Sequence, residues 1–281
     1  MSGGDLGHFR RATPAEPEAR SEGDAGPGGC DVALASRFGL RRTPLADTAL
    51  TIVIPSHNRP DLLRLCLLSV RRHAPAGTQV IVVDDGSANS VISAVADEFE
   101  VTLLRNHRPL GFAAAANRGI AAATGSVIEL LNDDTEVEPG WADAALARFA
   151  VRTVAAVAPL VLQGPPKAGT PVIDSAGDEY DLGGFARKRG HGEPLTDRFR
   201  EPCEVFGASA SSAFYRADVL RAVGGFPADF GAYFEDVDLS FRLRRVGTIV
   251  FEPASVVLHH GGQSYRRVDR RLFSRFSKIG I

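Results

Sequence analysis

The sequence has no apolar run near the roughly 18 residues that a membrane helix requires, and its N-terminus lacks the basic-then-apolar layout of a signal peptide. A soluble, cytoplasmic protein is expected, with peripheral contact at the inner face of a membrane left open. Cysteine is scarce: Cys30, Cys66 and Cys203 are widely spaced, odd in number and form no CxxC pair, which argues against a disulfide framework and against a zinc ribbon. Neither sign of charge is in excess, with 32 Lys and Arg against 34 Asp and Glu and a formal net charge of -2. The chain therefore has no global basic field, and nucleic acid is not an expected partner. Glycine is absent between Pro55 and Pro60, where a Rossmann dehydrogenase needs a Gly-rich turn for the pyrophosphate of its cofactor. A dinucleotide redox cofactor is not expected.

What remains is ordinary globular composition, 281 residues with 44% hydrophobic and 23% charged, enough for one large α/β domain. Residues 1–47 are rich in Gly, Pro, Ala, Glu and Arg without apolar periodicity, and read as a disordered tail. The domain itself is expected over 48–264. A last segment, 265–281, carries Arg266, Arg267, Arg270, Arg271, Arg275 and Lys278 among Tyr265, Leu272, Phe273 and Phe276. It suits an anionic membrane surface, or, more plainly, a solvated amphipathic helix packed on the domain.

Between the ends, short β-branched runs alternate with helical patterns. Leu50 to Pro55 reads as a strand stopped by proline, and Asp61 opens a helix with Leu63, Cys66, Leu67 and Val70 at helical spacing and Arg71, Arg72 and His73 in its last turn. Strand Gln79–Asp84, helix Val91–Phe99, strand Val101–Arg105, helix Phe112–Ala123 and strand Val127–Leu131 follow. Such alternation predicts a Rossmann-like, doubly wound, mostly parallel sheet, whose ligands bind beyond the carboxyl ends of the strands. Those ends carry Pro55-Ser-His-Asn-Arg59, Asp84-Asp-Gly-Ser87 and Asn132-Asp-Asp134. The stretch from Gln163 to Pro202, rich in glycine and charge, reads as an irregular surface excursion.

Each polar cluster has a plain reading beside a chemical one. His57 is a loop histidine or a flat ring that stacks on a base. Asp84 and Asp85 complete a turn or accept hydrogen bonds from a base or ribose. Asn132 to Asp134 cap a turn or offer hard oxygen ligands to Mg2+ or Mn2+ carrying phosphate. Acidic residues at the start of the helix opened by Phe234 complement its dipole, but Asp236 shares a stripe with Leu239, Leu243 and Val246, so it faces the packed side and can serve as a general base. His259 and His260 end a strand beside Gly261, and apolar alternation does not decide which of the two can meet a metal. Gly207-Ala-Ser-Ala-Ser211 lacks the last glycine of a nucleophile elbow and runs into a strand, which rules against a serine hydrolase.

Six of these segments stand in a familiar order. Thr51-Ile-Val-Ile-Pro-Ser-His-Asn-Arg59, Val82-Val-Asp-Asp-Gly-Ser87, Leu110-Gly-Phe112 with Asn117-Arg-Gly119, Leu131-Asn-Asp-Asp-Thr135, Phe234-Glu-Asp-Val-Asp-Leu239 and His259-His-Gly-Gly262 resemble the family 2 glycosyltransferases of the GT-A fold. The branch they resemble is the rhamnosyltransferase-like one, and the likeness runs from Ala49 to about Ser264. The resemblance implies a mixed, acceptor-binding C-terminal half and transfer of a sugar, with inversion, from a nucleoside-diphosphate donor to a hydroxyl of a glycan, lipid-linked or small-molecule acceptor. It implies nucleotide contacts at Pro55, His57 and Asp85 with Asp84 and Arg59 nearby, metal contacts at Asp134, Asn132 and His259, and Asp236 as the base. His259 is preferred over His260 on the family's histidine-to-glycine spacing. The rival enzyme class, a nucleotidyltransferase, would present a Gly- and basic-rich loop near the first strand, which is absent. A non-catalytic sugar-nucleotide-binding subunit would have no reason to keep Asp134, Asp236 and His259 together.

Overall fold

Why the first strand lies at the centre is written in its side chains. In β1 (Leu50–Ser56) every residue is buried, as a strand flanked on both sides and covered on both faces must be. Pro55 does not end it. The last β1 pair with the later strand Val127–Leu131 is Val53 with Leu130, so Pro55 lies beyond the ladder on that side while its neighbour on the other side, Val83, keeps the chain extended to Ser56. The computed structural model describes residues 49–164, 169–181, 183–230 and 234–261, together with Met1. The expected tail, apart from Met1, and the basic segment 265–281 lie outside these.

Helix α1 (Pro60–His73) begins with proline in its first turn, where the missing N–H costs nothing, and ends on Arg71, Arg72 and His73. It turns Leu63, Cys66, Leu67 and Val70 onto the sheet. There follow β2 (Gln79–Asp84), α2 (Val91–Phe99), β3 (Thr102–Arg105), α3 (Phe112–Ala122) and β4 (Val127–Leu131). The alternation expected from periodicity is therefore present, with ends that differ by a residue. β1, β2 and β3 pair in parallel in that order and β4 returns to the other side of β1. The strand order thus reverses at the β1–β4 boundary, which is the topological switch point of an open α/β sheet. Glycine at position 119 lets α3 lie close on β1, since a Cβ there would come 2.2 Å from Val53 Cγ1.

The second half is mixed. After β5 (Thr135–Val137) and α4 (Trp141–Arg148) comes β6 (Val154–Gln163), nine of whose ten residues are buried. The stretch expected to be irregular contains three short strands, β7 (Ile173–Ser175), β8 (Asp178–Tyr180) and β9 (Ala186–Lys188). Three-residue strands are too short to show a period in sequence. β7 pairs with the far end of β6, and β8 with β9 in a hairpin. β10 (Cys203–Glu204), β11 (Ser212–Arg216), α5 (Ala217–Ala222), α6 (Glu235–Arg244) and β12 (Thr248–His259) complete the order β10-β12-β6-β11-β4-β1-β2-β3. β11 lies antiparallel between β4 and β6, joining the parallel half to the mixed half. One apolar layer on each face of the sheet, around Val53, Ala116 and Leu130 on one side and Ile52, Leu67 and Trp141 on the other, holds it. At roughly 1.5–3 kcal/mol for each large buried side chain, this burial is the main term holding the strand ends in place.

Candidate active site

The carboxyl ends of β1, β2 and β4 open onto one edge, and their loops interlock. His57 Nδ1 donates to the Asp85 carbonyl oxygen at 2.8 Å, and its Nε2 accepts from the Asn58 amide at 2.9 Å. Asp85 takes N–H donors from Asn106 (2.8 Å), Leu110 (2.9 Å) and Gly111 (2.9 Å), so that most of its lone pairs serve to clamp the loop before α3. Gly86 permits that closure. It has φ +70°, and a Cβ there would lie 2.5 Å from the Arg108 carbonyl carbon.

Asp84, expected near the nucleotide, lies at the inner side of the same turn. It is fully buried, its Oδ1 accepts the Ser87 N–H at 2.8 Å and its Oδ2 faces Arg105 at 3.4 Å. These contacts tie it to the Asp84–Ser87 turn and to β3. Pro55 is buried within β1, while Arg59 and His57 reach the open edge.

At the switch point, Arg59 spans the two aspartates of the β4 turn, 2.9 Å from Asp133 Oδ1 and 3.0 Å from Asp134 Oδ2. Asp133 is fully buried and also accepts the Ser56 hydroxyl at 2.7 Å. Burial pushes it up to about 6, against the pull of Arg59 and Ser56. Asn132 is tied through its backbone, its N–H to the Ser211 carbonyl at 3.0 Å and its carbonyl to the Thr135 hydroxyl at 2.7 Å.

The register of β12 brings a histidine to this turn. His259 stands opposite Thr135 of β5, and its Nε2 lies 3.2 Å from Asp134 Oδ1. His260 sends its backbone N–H to the Asp134 carbonyl and its ring to Glu136, 2.6 Å away. Of the adjacent pair, His259 is the ring that meets Asp134. Burial alone would lower the His259 pKa, but Asp134 and Asp174 outweigh it and hold the ring up to about 9. Asp134 sits below its ordinary value because the contacts with His259 and Arg59 exceed the opposite effect of burial.

Asp236 stands on α6, whose cap residue Phe234 adopts φ +69°. Its carboxylate accepts the Ala210 N–H at 3.1 Å and the Val237 N–H at 2.9 Å. Burial pushes it above its ordinary value, which those two donors oppose. Asp178, at the start of β8, is buried and pushed up to about 8, first by burial and then by the charge of Asp236. Burial thus raises both carboxyls, and each disfavours the charge on the other.

Three groups that sequence reasoning missed therefore come from the stretch around β7 to β9: Asp174, Asp178 and Lys188. Asp174 lies 3.0 Å from His259 Nδ1 and 2.7 Å from Lys188 Nζ. The only signal in the sequence was the brief Val172-Ile173 run between Pro171 and Gly177, which marks a strand but not its partner.

Among the described residues no three His, Cys, Asp or Glu side chains form a ready-made metal cage. The donor set nonetheless fits a divalent ion that draws its other ligands from a substrate. A carboxylate and an imidazole meet at the turn, and Asp134 Oδ1 is buried with no hydrogen bond, only the charge contact with His259.

The model of glycosyl transferase family 2 matches residues 51–224, which span the loops after β1 and β2, the β4 turn and the sheet between them. The chain belongs to that family. The chain is 33% identical over 234 residues to the pre-mycofactocin glycosyltransferase of Mycobacterium tuberculosis, covering 79% of this chain and 45% of that protein. The chain thus spans under half the length of that relative. It is 29% identical over 249 residues to the N-acetylglucosaminyl-diphospho-decaprenol L-rhamnosyltransferase of the same organism, covering 79% of each. Among solved structures it is similar to GalNAc-T7 with UDP, GalNAc and Mn2+, with a TM-score of 0.64, 19% identity, 76% of this chain and 44% of that one. The mannosyltransferase PcManGT from Pyrobaculum calidifontis, in complex with GDP-Man and Mn2+, gives a TM-score of 0.58 at 16% identity over 90% of this chain and 76% of that one. These likenesses show the GT-A fold for this chain. Among its described residues no helix is long and apolar enough to cross a membrane.

Proposed function

We propose that this glycosyltransferase moves a sugar from a nucleoside-diphosphate sugar to an acceptor hydroxyl with inversion at the anomeric carbon. The observation that carries the reading is the meeting of Asp134 and His259 at the switch point, with Asp236 on a neighbouring helix whose carboxylate is desolvated. The donor's base lies by His57, on the loop that Asp85 holds in place, and the remaining N–H groups of the partly exposed Arg59 face its diphosphate. Asp134 and His259 would hold Mg2+ or Mn2+, with Asn132 beside them, and the ion would supply neutralisation of charge on the departing diphosphate.

Asp236 accepts the proton of the attacking hydroxyl. Ala210 N–H keeps its Oδ2 oriented, and burial raises its basicity to suit the task. The nearby buried Asp178 carboxyl adds to the rise at Asp236, because like charges disfavour each other's ionised form. The two mycobacterial relatives carry glycosyltransferase names, one of them with a lipid-diphosphate acceptor, which supports a glycan or lipid-linked acceptor here. UDP and GDP-Man with Mn2+ in the structural neighbours support a nucleotide-sugar donor and a divalent metal.

The test is a panel of nucleotide sugars incubated with purified protein and Mn2+ or Mg2+, read as release of nucleoside diphosphate and as anomeric configuration of the product. Release from at least one donor, lost in chelator, with an inverted product is expected. Metal-independent release or a retained configuration would overturn the reading.

A further inference from the structure

We propose that Asp174 is a positioning residue for the metal centre: it holds His259 by Nδ1 so that Nε2 faces Asp134, and Lys188 in turn holds Asp174. The inference rests on the metal-assisted reading of the site. Its basis is geometric. β12 and β7 flank the same end of β6, His259 on the rung of Gln163 and Ile173 on the rung of Leu162, which brings Asp174 across to the histidine. Asp174 Oδ2 is 3.0 Å from His259 Nδ1 and 2.7 Å from Lys188 Nζ, and its Oδ1 is 3.5 Å from His191 Nδ1. The His191 ring also reaches the Asp174 carbonyl at 2.8 Å. The oxygen that meets His259, Oδ2, thus faces two donors of the protein itself, which marks Asp174 as a holder of His259.

The chemistry follows from the two nitrogens of imidazole. A ring free at Nδ1 can rotate about its bond to Cβ and can carry its single neutral-state proton on either nitrogen. A carboxylate at Nδ1 fixes both, because the N–H that it accepts leaves the lone pair on Nε2, on the side of Asp134. His259 is largely buried, with 13% of its side chain exposed, so no solvent molecule substitutes readily for Asp174. Lys188, from β9, completes the set by fixing the carboxylate, and the β7–β9 excursion becomes the outer layer of the site.

The experiment is Mn2+ binding to the full chain, read from the electron paramagnetic resonance of free Mn2+, so that no activity is needed. Asp174→Ala should weaken binding by about 10- to 100-fold, the range for loss of a carboxylate behind a metal-ligating histidine. Asp174→Asn, which keeps a neutral acceptor, should weaken it less. In a His259→Ala background neither change should add a further loss, because the residue that Asp174 positions is already gone. A merely structural role would show additive losses, and additivity overturns the proposal. So does wild-type affinity in Asp174→Ala when His259→Ala is weakened. If the wild-type chain binds no Mn2+, or His259→Ala binds as well as wild type, the metal reading itself falls and takes the proposal with it. Should circular dichroism show that Asp174→Ala is unfolded, Lys188→Met enters the same cycle. A loss there that disappears with His259→Ala supports the proposal, and an additive loss or none overturns it.

Discussion

The indole N–H of Trp141 points at the carboxyl of Glu129, 3.1 Å from Oε1, and neither side chain reaches solvent. The Ser212 hydroxyl donates to the same oxygen at 3.1 Å. A carboxyl in the middle of β4 is a costly thing to ionise, and burial pushes it up to about 8 despite both donors. The folded chain therefore holds this proton more tightly than the unfolded chain, where the value returns to about 4.5. The stability it lends is full below about 4.5 and is lost as the pH rises toward 8, at about 1.4 kcal/mol per pH unit. Glu129→Gln keeps the accepting oxygen and removes the titration. Its melting temperature should match wild type near pH 5 and exceed it by several degrees near pH 8.5. Two melting curves that stay parallel across this range would show that Glu129 does not titrate in the window.

The approach of α3 to β1 gives a prediction about packing. A methyl group at position 119 meets Val53 Cγ1 at 2.2 Å and Val83 Cγ2 at 3.1 Å, and both valines lie in a fully buried layer. Gly119→Ala gains helix propensity but forces the helix off the sheet, and the second effect is larger, about 1–3 kcal/mol against under 1. Denaturant melts should show a net loss of stability, and a gain would mean that the helix can shift without cost.

Asp236→Asn should keep nucleoside-diphosphate binding and lower turnover by about 10²- to 10⁴-fold, the usual contribution of a general base. The amide oxygen can still accept the Ala210 N–H, so the helix start keeps its shape while the proton acceptor is gone. The decisive comparison is transfer rate against affinity for nucleoside diphosphate, and near-wild-type turnover would remove Asp236 from the mechanism.

What could be read in the sequence divides along the sheet. The parallel half was legible because β1 and β4 are buried along their whole length, β2 over most of its own, and the helices between them carry an apolar stripe, so period and length agree there. The turn at Asn132 to Asp134 and the acidic start of α6 were legible because polar residues interrupt apolar runs there. The burial of Asp84 and Asp85 was not legible, because sequence does not say how far a turn's carboxylates are drawn inward. Asp174, Asp178 and Lys188 were not legible at all. They sit on strands of three residues whose position is fixed by pairing with β6 or with each other, and those pairings are not local in sequence. His259 could be named from the family's spacing, but its place could not be derived from local pattern, since it depends on a bulge in β12 between Glu252 and Val256 that resets its register against β6.

Asp134→Ala separates a role through metal from a role through protein contacts. In the structure Asp134 has two cationic partners, Arg59 and His259, and all three lie at the β4 turn. Removing the carboxylate relieves Arg59 of one partner but leaves it Asp133 at 2.9 Å, so the local fold retains its main ion pair. A nucleoside diphosphate should then bind the variant in excess chelator about as well as it binds wild type, or slightly better, because one negative charge near the diphosphate is gone. With Mn2+ present, wild type should gain affinity and the variant should gain little, since the ion has lost its carboxylate ligand and retains only His259 and the phosphate oxygens. Calorimetric titrations with and without chelator give the two differences directly. Equal weakening of the variant under both conditions would mean that Asp134 acts through the fold and not through a metal.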